Sequence, residues 1–365
     1  MRRARKVCIL SGGGDAPGVN AVLRGFVHAA RELSIEVYGS RYGFEGLLSP
    51  SGISPFTLEN VRGVLPKGGS VLGCSTSVNP FFMMNESKTE TRDAGPVVVD
   101  RLRSLEMDAL VLIGGDGTMV AAQRFVKLGM PCIGIPKTID NDLGETDVTC
   151  GFDTAVEAAT HALDALHSTA ESHARVLLLE VMGRNAGWIA LYAGIAGGAD
   201  VVLIPELPYD LARVAAKIRQ REALGRRFSI IVVAEGAHPM GGDVLEIEAA
   251  RPGHLPRLGG AGSRLMHDLE ELHLGHELRL TVLGLLQRGG SPTAADRILG
   301  SRMGARAAEL CHRGVFDVML SWRGGSLTTI PLTREKFLHK EVAPTNETVA
   351  AARLLGIELG VEALP

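Results

Sequence analysis

Three short segments concentrate the residue types that can hold phosphate, a metal and a reacting hydroxyl. The first to consider is Pro136-Lys137-Thr138-Ile139-Asp140-Asn141-Asp142. Side chains alternate along an extended backbone, so Asp140 and Asp142 would point the same way there. One carboxylate could take a proton from a substrate hydroxyl while the other holds a metal or supports the first. Lys137 would sit beside them as a phosphate partner. The plainer reading is a turn whose Asn and Asp side chains cap local backbone.

The second segment is Ser11-Gly12-Gly13-Gly14-Asp15-Ala16-Pro17-Gly18-Val19-Asn20. Glycines let backbone N–H groups approach an anion, and a following helix N-terminus favours negative charge. Neither the P-loop nor the G-x-G-x-x-G pattern is met, because no lysine follows at the right place. The third is Gly114-Gly115-Asp116-Gly117-Thr118. A carboxylate between glycines can hold Mg²⁺ while the backbone touches phosphate, since Mg²⁺ commonly takes one or two carboxylates plus substrate phosphates. Simple capping of the next helix does not need those glycines. Taken together, the segments point to magnesium-dependent phosphoryl transfer.

Positive groups lie further on. Arg175 opens an apolar run, and Arg184 follows its end in Met182-Gly183-Arg184. Arg279 and Arg288 repeat that arrangement around a second run. Guanidinium forks suit phosphate, although most arginines are solvated surface residues. Glu235, after the run Ile230–Ala234, could accept hydrogen bonds from sugar hydroxyls or serve as a helix N-terminal charge.

The elements that must position these residues read as an alternation of short apolar runs and longer amphipathic ones. Strands are expected at Lys6–Leu10, Glu36–Arg41, Ala109–Ile113 and Cys132–Ile135, with helices at Gly18–Glu32 and Met119–Leu128. After a long helix at Thr154–Ser172 the pattern restarts. Strands follow at Arg175–Val181, Val201–Ile204, Ser229–Ala234 and Glu277–Leu285, with helices at Ala186–Ile195, Leu211–Leu224 and Ala294–Leu310. Continuous apolar strands between helices predict parallel sheets covered on both faces. The expected fold is α/β, with two doubly wound, largely parallel αβα lobes and a boundary near Gly151. In such sheets ligands bind beyond the carboxyl ends of the strands.

Composition limits the alternatives. A chain of 365 residues exceeds one ordinary core. Lys and Arg number 38 against 41 Asp and Glu, a net charge of −3, so no positive field awaits nucleic acid or an anionic membrane. No apolar run approaches the roughly 18 residues needed to span a bilayer. The apolar run after the basic start is too short for a signal peptide. Five cysteines without a C-x-x-C suit a reducing cytoplasm. His273 and His276 flank Gly275, which suits a solvated turn better than a metal pair.

The order and spacing of five motifs resemble the 6-phosphofructokinases: Gly13–Asn20, Gly114–Thr118, Pro136–Asp142, Glu180–Arg184 and Gln287-Arg288-Gly289-Gly290-Ser291-Pro292. The resemblance runs from about Val7 to Gly304. It implies transfer of the γ-phosphoryl group of ATP to the 1-hydroxyl of fructose 6-phosphate, in glycolysis. It implies Asp140 as general base, Asp116 as magnesium ligand, and Thr138 and Arg184 as groups that steady the transferring phosphoryl. Gly14, Gly115, Asp116, Gly117 and Thr118 match the nucleotide phosphate cradle, to which Thr76 and Lys137 are added. Thr138, Asp140, Arg175, Met182, Gly183, Arg184, Glu235, Arg279 and Arg288 match the sugar-phosphate side. The positions of Arg175 and Arg279 serve a neighbouring subunit's site in the family, so a homodimer or homotetramer is implied. A donor lobe of 1–151 plus about 287–340, and a sugar-phosphate lobe of 152–286 plus about 341–365, follow from the same likeness.

Departures from the pattern bear on affinity and donor. Thr76 stands where the family often has an Arg near the donor phosphates, a charge Lys137 is expected to replace. Leu285 stands where a His usually precedes the Gln-Arg-Gly-Gly motif. Gly117 goes with ATP, because a larger acidic residue there intrudes on the α-phosphate. Lys137 is the residue of pyrophosphate users, so pyrophosphate stays open as an alternative donor. Arg24 matches an effector-binding position, but His28 breaks the basic pair. The stretch after about Leu320 carries little motif content. Gly-Gly-Asp-Gly-Thr also occurs in NAD and lipid kinases, which would lack the Thr138–Asp142 segment and the paired arginine strands. A sugar-phosphate or nucleotide sensor that has lost turnover is the non-catalytic alternative; Asp116, Thr138, Asp140 and Arg184 speak against it.

Overall fold

The apolar runs are buried on both faces, which is why they do not alternate with polar residues. Val7 and Ile9 pack into one core cluster, while Cys8 and Leu10 pack into another across the sheet. Ala109, Val111 and Ile113 divide from Leu110 and Leu112 in the same way. The computed structural model of the protein describes residues 3–84, 91–249, 256–332 and 339–362.

The first sheet comprises β1 (Lys6–Ser11), β2 (Glu36–Ser40), β3 (Ile53–Pro55), β6 (Ala109–Gly114), β7 (Cys132–Pro136), β14 (Val318–Arg323) and β15 (Ser326–Pro331). Their order is β15-β14-β7-β6-β1-β2-β3. Only β2–β3 and β14–β15 pair antiparallel. Helices α1 (Val19–Glu32), α2 (Phe44–Leu48), α3 (Gly95–Ser104) and α4 (Asp116–Lys127) belong to this part, with a short ribbon of β4 (Met83–Met84) and β5 (Thr91–Arg92). Helix α5 (Phe152–His173) leads to the second sheet. That sheet holds β8 (Val176–Val181), β9 (Val201–Leu203), β10 (Ser229–Ala234) and β13 (Leu278–Val282), all parallel, in the order β13-β8-β10-β9. Helices α6 (Trp188–Ala196), α7 (Leu211–Ala223) and α8 (Ala261–Glu271) accompany it, and β11 (Glu246–Glu248) pairs with β12 (Arg257–Leu258). Helix α9 (Ala294–Arg313) returns the chain to the first sheet, and α10 (Glu347–Leu354) follows near the end.

One expected strand needs correction. The run Glu277–Leu285 is not one strand: β13 ends at Val282, and a 3₁₀ turn covers Gly284–Arg288. Gly284, at φ 50°, ends the extended run. The motif-poor stretch after Leu320 completes the lobes: β14 and β15 extend the first sheet, and Glu358 bridges to Val201 at the edge of the second. Among the described residues no helix is long and apolar enough to cross a membrane.

Helices α1 and α9 pack backbone to backbone through glycines. A Cβ on Gly304 would lie 2.1 Å from the Val22 carbonyl oxygen and 2.6 Å from the Phe26 nitrogen. On Gly25 it would meet the Ser301 carbonyl at 2.5 Å. Backbone cannot swing aside as a side chain can, so the helices would have to part. Gly304→Ala should therefore cost about 2–3 kcal/mol, as overpacked cores do. Chemical denaturation reads this as a lower midpoint at unchanged slope; a wild-type midpoint would refute the close-packing argument.

Candidate active site

Sheet order brings the three motif segments together. Strands β1, β6 and β7 are neighbours and parallel, so Gly12–Pro17, Gly115–Asp116 and Lys137–Asp142 emerge side by side at their carboxyl ends. The second sheet supplies Arg184 after β8, Glu235 after β10 and Arg288 after β13. Arg288 and Arg184 both lie within electrostatic reach of the Asp140 carboxylate.

Asp140 is buried, and its Oδ1 has no hydrogen-bond partner among the described residues. An unpartnered buried carboxylate oxygen is costly unless a ligand completes it. The Asp140 amide donates to Thr138 Oγ1 at 3.1 Å, which turns Thr138 toward the same corner. Burial raises the Asp140 pKa; Arg288, Arg184 and the Thr138 hydroxyl pull it back. Asp142 is also buried, and burial followed by the Asp140 and Asp116 charges pushes it up to about 7. Burial and the Asp140 charge likewise push Glu235 up to about 7, although its carboxylate accepts the Arg184 amide at 3.0 Å. Asp116 lies exposed in the first turn of α4, its Oδ1 accepting the Gly117 amide at 2.6 Å. Its charge reaches both buried carboxylates. Among the described residues no three His, Cys, Asp or Glu side chains cluster as a closed metal cage. Exposed Asp116 instead offers a hard oxygen ligand of the kind Mg²⁺ shares with phosphates.

The acidic segment is not extended. Asn141 has φ 52°, a left-handed turn between the two aspartates. Its amide oxygen accepts the Thr149 N–H at 3.1 Å, and Thr149 Oγ1 donates to the Thr138 carbonyl at 2.7 Å. Asp140 and Asp142 meet through this turn, not through strand alternation.

Lys137 departs furthest from expectation. Its ammonium is buried and donates to the Gly12 carbonyl at 2.8 Å and to the Gly14 carbonyl. It buttresses the glycine turn from beneath, and burial lowers its pKa to about 8. Two of its three protons are thus directed at the turn expected to cradle the donor phosphates. Thr76 is exposed, two residues beyond Cys74, whose Sγ lies 3.4 Å from Ser11 Oγ. Thr118 is buried close against Gly12 and Gly114: an added Cβ would lie 2.7 and 2.2 Å from its hydroxyl. Gly115 is half-buried, and a Cβ on Gly117 would meet nothing within 4 Å, so open space adjoins the latter. Gly14 faces Arg288, whose Nη1 donates to the Asp15 carbonyl at 3.1 Å. Arg288 thus joins the second sheet to the glycine turn.

Gly183 has φ 142° and Arg184 φ 54°, a tight turn whose guanidinium donates to the Pro256 carbonyl at 3.1 Å. The Met182 amide donates to buried Gln287 Oε1 at 2.7 Å, fixing the turns after β8 and β13 together. Arg175 and Arg279 are not part of this cluster. They stand at the amino ends of β8 and β13, roughly 20 Å of strand away. There both pair with Glu277, Arg175 at 2.6 Å. Leu285 is 75% exposed and offers no hydrogen bond where the family's His would stand. The motif reading missed Lys340, whose ammonium donates to Asn141 Oδ1 at 2.9 Å. It lies about 200 positions from its partner without a motif of its own, so no local pattern announces it.

Two parallel-sheet lobes that meet over glycine turns, buried carboxylates and facing arginines define an α/β enzyme built around anionic ligands. The chain belongs to the phosphofructokinase family, whose pattern matches residues 6–311. It is 47% identical to an ATP-dependent 6-phosphofructokinase of Chloroflexus aggregans over 99% of both chains. It is 46% identical to a pyrophosphate–fructose 6-phosphate 1-phosphotransferase of Streptomyces coelicolor, over 93% of this chain and 96% of that one. The solved phosphofructokinase of Saccharomyces cerevisiae superposes with a TM-score of 0.78 at 28% identity, covering 96% of this chain; the chain spans about half the length of that yeast polypeptide, 47%.

Asp142 makes the site's electrostatics measurable. Its folded pKa of about 7 exceeds the ordinary 3.8, so the native state binds this proton more tightly than the unfolded one. The associated stability is complete below pH 3.8 and is lost as pH rises through about 7. Without divalent metal, Asp142→Asn should gain melting temperature relative to wild type from pH 4 to 7, the offset then levelling. An offset independent of pH would contradict the assignment.

Proposed function

We propose that the chain is an ATP-dependent 6-phosphofructokinase that transfers the γ-phosphoryl group of ATP to the 1-hydroxyl of fructose 6-phosphate. The carrying observation is the unpartnered, buried Oδ1 of Asp140, within electrostatic reach of Arg184, Arg288 and Asp116. In this reading Asp140 accepts the proton of the 1-hydroxyl as that oxygen bonds to the γ-phosphorus and the bond to the β-phosphate oxygen breaks. Thr138 and Arg184 hold the transferring group, and Gly14, Gly115 and Gly117 line the donor phosphates. Arg288, Glu235, Met182 and Gly183 hold the sugar phosphate. Asp116 is the candidate ligand for Mg²⁺, which when bound neutralises charge on the donor phosphates. Phosphoryl transfer asks mainly for such positioning and charge balance. Asp142 supports the turn and shares its acidity with Asp140.

Residues 1–151 with about 287–340 are assigned to the donor side, and 152–286 with about 341–365 to the sugar side. The open space beside Gly117 supports ATP over pyrophosphate. Asp140→Asn should lower kcat by about 10²–10⁴, the usual cost of losing a positioned base, with KM values little changed. A coupled assay with fructose 6-phosphate, Mg²⁺ and either donor tests this. Near-wild-type kcat would remove Asp140 from the base role, and turnover with pyrophosphate alone would reverse the donor assignment.

Arg175 and Arg279, held at the far end of the second sheet, are assigned to a neighbouring subunit's sugar-phosphate site in a homo-oligomer. Mixing inactive Asp140→Asn with weakened Arg279→Ala subunits should then regenerate sites that contain both wild-type groups. Activity above that of either parent is the expected result; none above the parents would place Arg279 outside any shared site.

A further inference from the structure

The segment 339–342 has no motif, yet it touches both lobes at the site. The Lys340 ammonium has three protons. They are directed at Asn141 Oδ1 at 2.9 Å, the Thr146 carbonyl at 2.9 Å and the Asp147 carbonyl at 2.8 Å. All three oxygens belong to the loop that follows Asp140. The Lys340 amide donates to the Asp142 carbonyl at 2.7 Å, and Leu143 forms an antiparallel bridge with His339. Asn141 is the left-handed residue between the two aspartates, so the ammonium acts on the turn that aims Asp140.

The same segment grips the second lobe. The Trp188 indole N–H donates to the Lys340 carbonyl at 2.8 Å. The Val342 amide donates to Glu206 Oε1 at 2.8 Å, and that carboxylate also accepts the Gly187 amide at 2.9 Å. Gly187 closes the turn that begins with Gly183 and Arg184. Residues 340–342 therefore connect the turn bearing Asp140 to the turn bearing Arg184.

We propose that Lys340 is a positioning residue for phosphoryl transfer: its ammonium holds the Asn141 turn, and its backbone locks that turn to the Arg184 side of the cleft. The proposal rests on the reading of Asp140 as the base. A misplacement of about 1 Å in reacting groups costs on the order of 100-fold in rate. The titratable groups beside the ammonium are Asp142, Asp147 and His339, with Glu206 and Glu341 further along the strap. Removing the positive charge should make Asp142, and through it Asp140, harder to ionise.

Steady-state kinetics of full-length Lys340→Met against wild type test this. The expected result is a kcat lower by about 10–100-fold, KM for both substrates within about threefold, and an acid limb of the pH–kcat profile moved up by roughly half a unit. A merely structural lysine would lower the active fraction without moving that limb. A kcat within threefold of wild type, or a lower kcat with the limb unmoved, overturns the proposal. Wild type that turns over with neither ATP nor pyrophosphate would instead overturn the activity on which it rests. Should Lys340→Met show no cooperative melting, Lys340→Gln, which keeps two donors and loses the charge, is judged by the same readouts.

Discussion

The site hangs on two ammonium groups, one buried and one half-buried, whose protons go to oxygens of the backbone and of one amide, not to the carboxylates nearby. Lys137 enters from β7 and donates to the glycine turn after β1; Lys340 enters from the far end of the chain and donates to the loop after Asp140. Burying an ammonium is unfavourable, and in both cases that burial lowers the pKa to about 8. The aligned oxygens offset the loss of water. Because their protons are engaged by loops, neither ammonium forms an ion pair with Asp140 or Asp142 among the described residues. The two carboxylates keep raised pKa values and Asp140 keeps an open oxygen, a state suited to accepting a proton from a bound hydroxyl.

The arginines complete the balance from the other lobe. Arg288 reaches across to the Asp15 carbonyl, and Arg184 turns out of a left-handed corner held by Glu235. Neither forms an ion pair with a carboxylate within 4 Å among the described residues, so both are held by neutral or backbone partners near the cleft. Such guanidinium groups can take phosphate without first surrendering a salt bridge. Arg175 and Arg279 are the opposite case, paired with Glu277 away from the cleft.

Local chemistry made much of this legible. Continuous apolar runs announced parallel strands, and glycine or aspartate clusters marked their carboxyl ends, so Asp116, Asp140 and Arg184 could be named before any geometry. What a run of residues does not encode is direction and distant closure. Lys137 reads as a free cation beside two acids; only the glycine turn beneath which it lies shows where its protons go. The Asn141 turn reads as extended until Thr149 and Lys340 hold its amide oxygen. The apolar Leu283, Leu285 and Leu286 lengthen the apparent strand after Glu277, yet Leu285 and Leu286 are exposed on a 3₁₀ turn. Lys340 itself was invisible, because a single lysine in a polar stretch has no period.

The sequestration of Lys137 also bears on the donor. As a free ammonium it would favour a compact, highly charged donor such as pyrophosphate. As a buttress under Gly12 and Gly14 it shapes the phosphate turn for either donor and discriminates little between them. What remains is volume. Pyrophosphate ends where ATP continues into an α-phosphate and a nucleoside, so the distinguishing feature is room beyond the second phosphate. Gly117 leaves that room, since even a Cβ placed there meets nothing within 4 Å. A side chain at that position, extending from the first turn of α4, would bring bulk and, if acidic, a second negative charge next to Asp116. Steric exclusion is nearly all-or-none, whereas a buried cation with its protons engaged changes affinity only by degree. The room left at Gly117 therefore favours ATP.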